Sequence, residues 1–331
     1  MILFNCDYSE GAHADILRRM AETNMEQTAG YGEDPYCDQA RKLIAGLCGR
    51  TDLDIHFLIG GTQTNFTVIA AALRPHQCVL CADTGHINVH ESGAVEACGH
   101  KVSAIPSPDG KLTARQIEEA WHAHWDDETR EHMPQPRMVY ISQPTELGTI
   151  YSRKELQEIS GVCRRRGLYL YMDGARLGYG LCDEDNDLDL PAIASLCDAF
   201  YIGGTKVGAL FGEALVLRHE ALKEDFRYIA KQKGGRLAKG RLLGIQFLEL
   251  FRDGLYFRLG AHADRLAVML RDFCRSRGLS LPFSSGTNQQ FVTMPDSVLE
   301  ELGRKYGFAY LRREDETHST VRFCMSWATR E

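Results

Sequence analysis

Short apolar runs alternate with longer stretches of helical periodicity along the chain. Residues 55–59, 79–82, 137–142, 169–172 and 199–202 are rich in aliphatic and aromatic side chains, at the lengths expected of buried strands. Helical patterns lie among them: Ile16, Leu17 and Met20 repeat at helix spacing, as do 38–48, the run from Val68 to Leu73, and Ile117, Ala120, Trp121 and His124. Strands interleaved with helices predict an open α/β sheet. From 242 to about 273 the periodicity predicts long helices that lead to a smaller unit, in which 287–292 and 320–325 read as strands. We therefore divide the chain into a large domain over 1–230, N-terminal segment included, and a region of linking helices and small domain over 231–331.

Composition narrows the class. With 331 residues, 44% of them hydrophobic and 25% charged, the chain can bury a sizeable core. A formal charge of −7 leaves no broad basic field for nucleic acid or anionic lipid. The N-terminus lacks a basic and apolar leader pattern, and no apolar run approaches bilayer length, so a cytoplasmic protein is expected. Eleven cysteines are scattered through apolar segments rather than spaced as a disulfide framework, which fits a reducing compartment. Cys78 and Cys81 form a CxxC inside a strand-like run with no second pair, and read as buried thiols rather than metal ligands. Arg164, Arg165 and Arg166 close a helical pattern and read as a solvated helix end. The acidic run 183–187 lacks the glycine and terminal glutamate of a calcium loop, and no metal is expected.

Two of the apolar runs deliver polar residues to what should be one rim of the sheet. The run 169–172 ends on Asp173, and the run 199–202 leads through two glycines and Thr205 to Lys206. Ligands of open α/β sheets bind at that rim. A lysine amine for a Schiff base, together with an anion to keep a pyridine nitrogen protonated, suits pyridoxal 5'-phosphate; the competing reading is a simple Asp–Lys salt bridge. The stretch Gly60-Gly61-Thr62 opens a helix after a strand, where free backbone amides and the helix dipole favour a phosphate. An ordinary capped turn has the same appearance.

The stretch DGAR at 173–176, followed by a glycine-bordered lysine, resembles the low-specificity L-threonine aldolases of the β-eliminating lyase group, and the likeness runs from FNCDY near the start to VRFCMSW near the end. The resemblance implies the fold type I, aspartate aminotransferase-like architecture: a three-layer α/β/α large domain with a mainly parallel sheet, plus a smaller C-terminal α+β domain. It implies pyridoxal 5'-phosphate linked to Lys206, with Asp173 at the ring nitrogen, His86 stacked on the ring, and Gly60, Gly61 and Thr62 at the phosphate. Arg176 corresponds to the arginine that meets cofactor and substrate carboxylate, and Arg322 to the arginine that fixes the carboxylate. Tyr31-Gly32-Glu33-Asp34-Pro35 matches the family's YGxDP.

Three places depart from the pattern. Cys6 stands where the family has a serine that touches the substrate carboxylate. The loop Gln143-Pro144-Thr145-Glu146 replaces the usual Asn-Thr-His, which makes Glu146 the candidate base towards the substrate hydroxyl, alongside His86. In 231–241 the family arginine that reaches a neighbour's phosphate aligns nearest Ala238, leaving Lys239 and Arg241 as candidates. The implied reaction is cleavage of L-threonine or L-allo-threonine to glycine and acetaldehyde, in a homodimer or homotetramer with shared sites. The alternatives are β-elimination or transamination of another amino acid, or a weakly active cofactor-binding protein.

Overall fold

The computed structural model describes residues 1–331. Its central sheet has seven strands in the spatial order Asp54–Leu58, Glu213–Leu217, Ala199–Gly203, Tyr169–Asp173, Gln135–Ser142, Gln77–Ala82 and Lys101–Ile105. All pairings are parallel except those of Glu213–Leu217, which runs antiparallel to both neighbours. The apolar runs are these strands, displaced by a residue or two at their ends. Lys101–Ile105 was not anticipated. It is an edge strand whose alternation of exposed and covered residues is too short to register as an apolar run.

Strand alternation divides the buried side chains between two cores. Leu170, Met172, Phe200 and Ile202 face one side, beneath helices that include Pro35–Leu47, Arg153–Arg166 and Arg241–Arg252. Tyr140, Tyr171 and Tyr201 face the other, beneath Gly61–Ala72 and Phe226–Gln232. Cys78 and Cys81, three apart on one strand, point to opposite faces and are both buried, so the CxxC does not form a thiol pair. Of the three arginines closing Arg153–Arg166, Arg166 is the least solvated. It bonds to Glu118 and lies 4.1 Å from the Trp121 ring.

The smaller unit carries a three-stranded antiparallel sheet, Ala309–Arg313, His318–Cys324 and Gln289–Pro295, with the helix Asp296–Gly303. The start of the chain is woven into it: Ile2–Leu3 pairs with Tyr306–Gly307, and the Cys324 amide donates to the Phe4 carbonyl at 2.8 Å. Arg241–Arg252, within the stretch expected as linking helices, packs along Pro35–Leu47. Gly244 permits the approach, since a Cβ there would fall 2.5 Å from the Cys37 nitrogen. No helix is long and apolar enough to cross a membrane.

Candidate active site

Asp173 ends its strand at the rim and is 4% exposed. Both carboxylate oxygens are enclosed by donors. Oδ1 accepts from Tyr201 Oη at 2.5 Å and the Ala175 amide at 2.9 Å; Oδ2 accepts from Tyr140 Oη at 2.6 Å and Asn65 Nδ2 at 2.9 Å. Burial alone would raise its pKa, but the charge of nearby His86 and the donated hydrogen bonds outweigh it, so the carboxyl titrates below its ordinary value. Burial, and then the charge of Asp173, keeps Tyr140, Tyr171 and Tyr201 protonated as donors.

Lys206 follows the neighbouring strand. Its ammonium has no hydrogen-bond partner, and the Tyr8 ring centroid lies 6.0 Å away. Burial, then the charge of Arg176, pulls the amine below the usual lysine range, against the attraction of Asp7, Asp173 and Glu213. Arg176 is held in a two-point ion pair with Asp7, Nε to Oδ2 at 2.7 Å and Nη2 to Oδ1 at 3.0 Å. Asn288 of the small domain donates to Asp7 Oδ2 at 2.9 Å. The Arg176 side chain therefore keeps Nη1 and the second Nη2–H for a ligand.

The helix Gly61–Ala72 has no side-chain cap at Gly60, and its first internal bond comes from the Thr64 amide, so the amides of Gly61, Thr62 and Gln63 are open. Asn65, one turn on, reaches Asp173, so the open amides and the carboxylate flank one space. Gly61 is needed here because a Cβ would stand 2.9 Å from Tyr201 Oη, the hydroxyl that serves Asp173. His86 opens the short helix His86–Val89. Its Nδ1 lies 2.8 Å from Glu91 Oε1, and Glu91 in turn accepts from Asn65 at 2.7 Å. Uncapped amides, a flat ring, a buried carboxylate and an unpartnered lysine amine fit the phosphate, ring face, ring nitrogen and aldehyde carbon of pyridoxal 5'-phosphate.

The remaining expected residues fall into two groups. Glu146 sits beside His86: its Oε1 accepts from the His86 amide at 2.9 Å and Ser142 Oγ at 2.7 Å. Burial, with Asp173 adding to it, raises its pKa despite the Ser142 hydrogen bond. Cys6 Sγ lies 3.3 Å from Ser9 Oγ, so a hydroxyl accompanies the thiol. Arg322 donates to Gln289 Oε1 and to the Asn5 carbonyl, both at 3.1 Å, and its Nε is buried without a partner. Lys239 is exposed, and Arg241 holds the carbonyls of Thr23, Asn24 and Glu26 at 2.9–3.1 Å. Neither hydrogen-bonds to another residue of the set.

The sequence reading missed the residues that serve Asp173: Tyr140, Tyr201, Asn65 and, through Asn65, Tyr171 and Glu91. A signal existed. Tyr140, Tyr171 and Tyr201 stand two residues before Ser142, Asp173 and Gly203, and a spacing of two puts each on the face of its strand's rim residue. Asp7 had no such signal, because its partner is 169 residues away.

Gly61→Ala is expected to push the Tyr201 hydroxyl off Asp173 while leaving the fold intact. A hydrogen bond to a charged group is worth about 1.5–3 kcal/mol, so pyridoxal 5'-phosphate should bind about tenfold or more weakly. Titration followed by visible absorbance measures this; unchanged affinity would contradict the assigned role of Gly61.

Comparison with known proteins identifies the family and the fold. The family model described as beta-eliminating lyase matches residues 6–297. The low specificity L-threonine aldolase of Pseudomonas aeruginosa is 32% identical over 330 residues, covering 98% of this chain and 93% of the relative. The Escherichia coli K12 protein of the same description is 26% identical, covering 86% and 84%. Among solved structures, a threonine aldolase of Leishmania major matches with a TM-score of 0.97 at 45% identity, covering 100% of this chain and 95% of that one. A Thermus thermophilus aspartate aminotransferase variant shares the fold, with a TM-score of 0.71 at 14% identity and coverage of 99% and 92%. The chain thus has the fold type I architecture, and it belongs to the beta-eliminating lyase family.

Proposed function

We propose that the protein is a pyridoxal 5'-phosphate-dependent aldehyde-lyase that cleaves L-threonine or L-allo-threonine to glycine and acetaldehyde. The observation that carries this reading is the Lys206 amine, unpartnered and held below the usual lysine range at the rim it shares with Asp173. Bound there, the cofactor supplies an electron sink for the Cα–Cβ bond of the amino acid. Asp173, ionised by its four donors, holds a proton at the ring nitrogen. His86 covers the ring face, its orientation set by Glu91. The open amides of the helix Gly61–Ala72 receive the phosphate.

The substrate carboxylate falls to Arg322, whose buried Nε is a donor awaiting an acceptor, and to the free Nη1 of Arg176. Glu146 is the base that takes the β-hydroxyl proton as the carbon–carbon bond opens. Its Oε1 is occupied by Ser142 and the His86 amide, leaving Oε2 for the substrate. Burial places its pKa nearer to working pH than an ordinary carboxylate's.

The working unit is a homodimer or homotetramer. Met25, Tyr31 and Tyr228 are 88%, 46% and 79% exposed, and Lys239 reaches outward on the segment that follows Tyr228. Lys239 serves the phosphate of the neighbouring site, a role Arg241 cannot share while it binds the loop carbonyls. Eleven free thiols suit a reducing cytoplasm.

The protein loaded with pyridoxal 5'-phosphate should release equimolar acetaldehyde and glycine from L-threonine or its allo isomer, and Lys206→Ala should release neither. An oxo acid in place of acetaldehyde would refute the reaction. Glu146→Gln keeps an acceptor for His86 but cannot take a proton, so kcat should fall about 10²-fold or more with KM little changed. Because the Glu146 pKa is raised, the ionised base exists only at higher pH. The acid limb of the wild-type kcat profile should lie above the ordinary glutamate value of about 4.3 and vanish in the variant. Lys239→Ala and Lys206→Ala, each inactive alone, should regain about a quarter of wild-type activity when subunits are mixed at random. Failure to regain activity, with subunit exchange verified, would remove Lys239 from the shared site.

A further inference from the structure

One buried acid at the rim has no part in the chemistry above. Glu213 opens the reversed strand Glu213–Leu217 and is 3% exposed. It lies directly across from Gly203 on one side and Leu58 on the other, so neither neighbouring strand offers it a polar partner at that rung. It forms no ion pair. Its two oxygens go instead to the turn that carries Lys206: Oε1 accepts from Thr205 Oγ1 at 2.8 Å, and Oε2 from the Gly204 amide at 3.2 Å. The same turn is tied to the base of the reversed strand. The Gly204 and Thr205 amides donate to the Gly212 carbonyl at 3.0 and 3.1 Å, and the Gly212 amide donates to Thr205 Oγ1 at 2.9 Å. The Thr205 hydroxyl has two acceptors, Glu213 Oε1 at 2.8 Å and the Gly212 carbonyl at 3.4 Å, and the shorter contact is the one to Glu213.

We propose that Glu213 is a positioning residue for Lys206: its carboxyl group fixes the turn that presents the lysine, and its charge state governs how readily the Lys206 amine gives up its proton. Backbone and hydroxyl donors alone are a modest return for placing an ionisable group in this position, and an apolar side chain would have filled the space without a desolvation cost. The charged and titratable groups that face it are Lys206 and Asp173, with the phenols of Tyr171, Tyr201 and Tyr256 beyond. Lys206 is the only cation among them. Burial, only partly offset by the Thr205 hydrogen bond and by Lys206, pushes the Glu213 carboxyl up to about 8. Below that pH the acid is neutral, and Lys206 lacks a stabilising anion on this side, so the free amine forms more easily. Above it the carboxylate appears and holds the ammonium form. The two titrations therefore oppose each other, and the Lys206 curve is stretched across the pH at which Glu213 ionises.

The proposal rests on Lys206 as the amine of the proposed active site, but its test does not depend on any substrate. Full-length protein without added cofactor is treated with formaldehyde and borohydride from pH 6 to 11, and methylation of Lys206 is followed by mass spectrometry. Wild type should show a broadened curve with an inflection near 8. Glu213→Gln, which retains an acceptor for the turn, should give a single steep curve whose midpoint lies at least half a pH unit lower. Thr205→Val removes a donor that favours the carboxylate, so its inflection should move to higher pH. Circular dichroism and thermal melting establish that each variant is folded. A Lys206 midpoint unmoved in folded Glu213→Gln overturns the proposal, and so does an inflection that moves down in Thr205→Val. Should Glu213→Gln fail to fold, the direction of the Thr205→Val shift decides alone. A labelling shift in a protein that releases no acetaldehyde would leave this inference standing and count against the substrate assignment.

Discussion

Keeping Asp173 ionised out of water is the constraint on which most of this molecule depends. Moving a lone carboxylate into a protein interior costs several kcal/mol even after relaxation, and each hydrogen bond to a charged group restores about 1.5–3 kcal/mol. Four donors around one carboxylate can offset the cost, but only if they arrive together. Tyr140 and Tyr201 come from the two strands that flank Tyr169–Asp173, Ala175 from the turn beyond it, and Asn65 from the helix on that face. A slip of one residue in either flanking strand would turn its tyrosine to the opposite core. The ionised Asp173 carboxylate and the register of the sheet are therefore one requirement.

A second buried charge joins the site to the small domain. Asp7 and Arg176 satisfy each other, and the third donor to Asp7 is Asn288, at the foot of the strand Gln289–Pro295. Burial opposes both charges, and mutual attraction overcomes it, holding Asp7 below and Arg176 above their ordinary values. Because Ile2–Leu3 pairs with Tyr306–Gly307, the N-terminal segment cannot move without the small domain. Any shift of that domain is thus felt at Arg176, and Arg322 on the adjacent strand moves with it. The N-terminal segment, the rim and the small domain are thus joined through three side chains, Asp7, Arg176 and Asn288.

How much of this could be read from the sequence depended on the range of each interaction. Asp173 and Lys206 were legible because one directly follows an apolar run and the other comes four residues after the next, and the fold places the ends of parallel strands at one edge. The helix start at Gly61 was legible for the same reason. Tyr140, Tyr171 and Tyr201 looked like core residues, and they are core residues; what escaped was that their hydroxyls converge on one carboxylate, a fact of strand order rather than of any run. The packing of Arg241–Arg252 on Pro35–Leu47 was not legible, because it depends on Gly244 letting that helix lie against Cys37, a close approach with no local signature. Arg241 was drawn to the site by its place beside a family motif, yet the three carbonyls it holds, those of Thr23, Asn24 and Glu26 just past the first helical pattern, have no charge to advertise their need for it.

Glu146 shows where the family pattern stops and the particular chain begins. The loop that usually brings a histidine here brings a carboxylate, and the carboxylate grips the backbone of His86 rather than its ring. That contact fixes the start of the helix His86–Val89 from one side while Glu91 fixes the imidazole from the other. Two acids therefore bracket one histidine, and they differ in what they can still do. Glu91 has an oxygen buried without a partner and no route to a substrate, so its effect is confined to orienting the ring. Glu146 has one oxygen committed and one in reserve, with burial holding its proton affinity high. A residue so placed can both fix the start of the helix that carries His86 and, in the proposed reaction, accept a proton from a substrate hydroxyl. In the proposed reaction, the acid at this position thus puts a desolvated carboxylate where the family pattern has an imidazole, while the contacts around His86 and Asp173 stay as described.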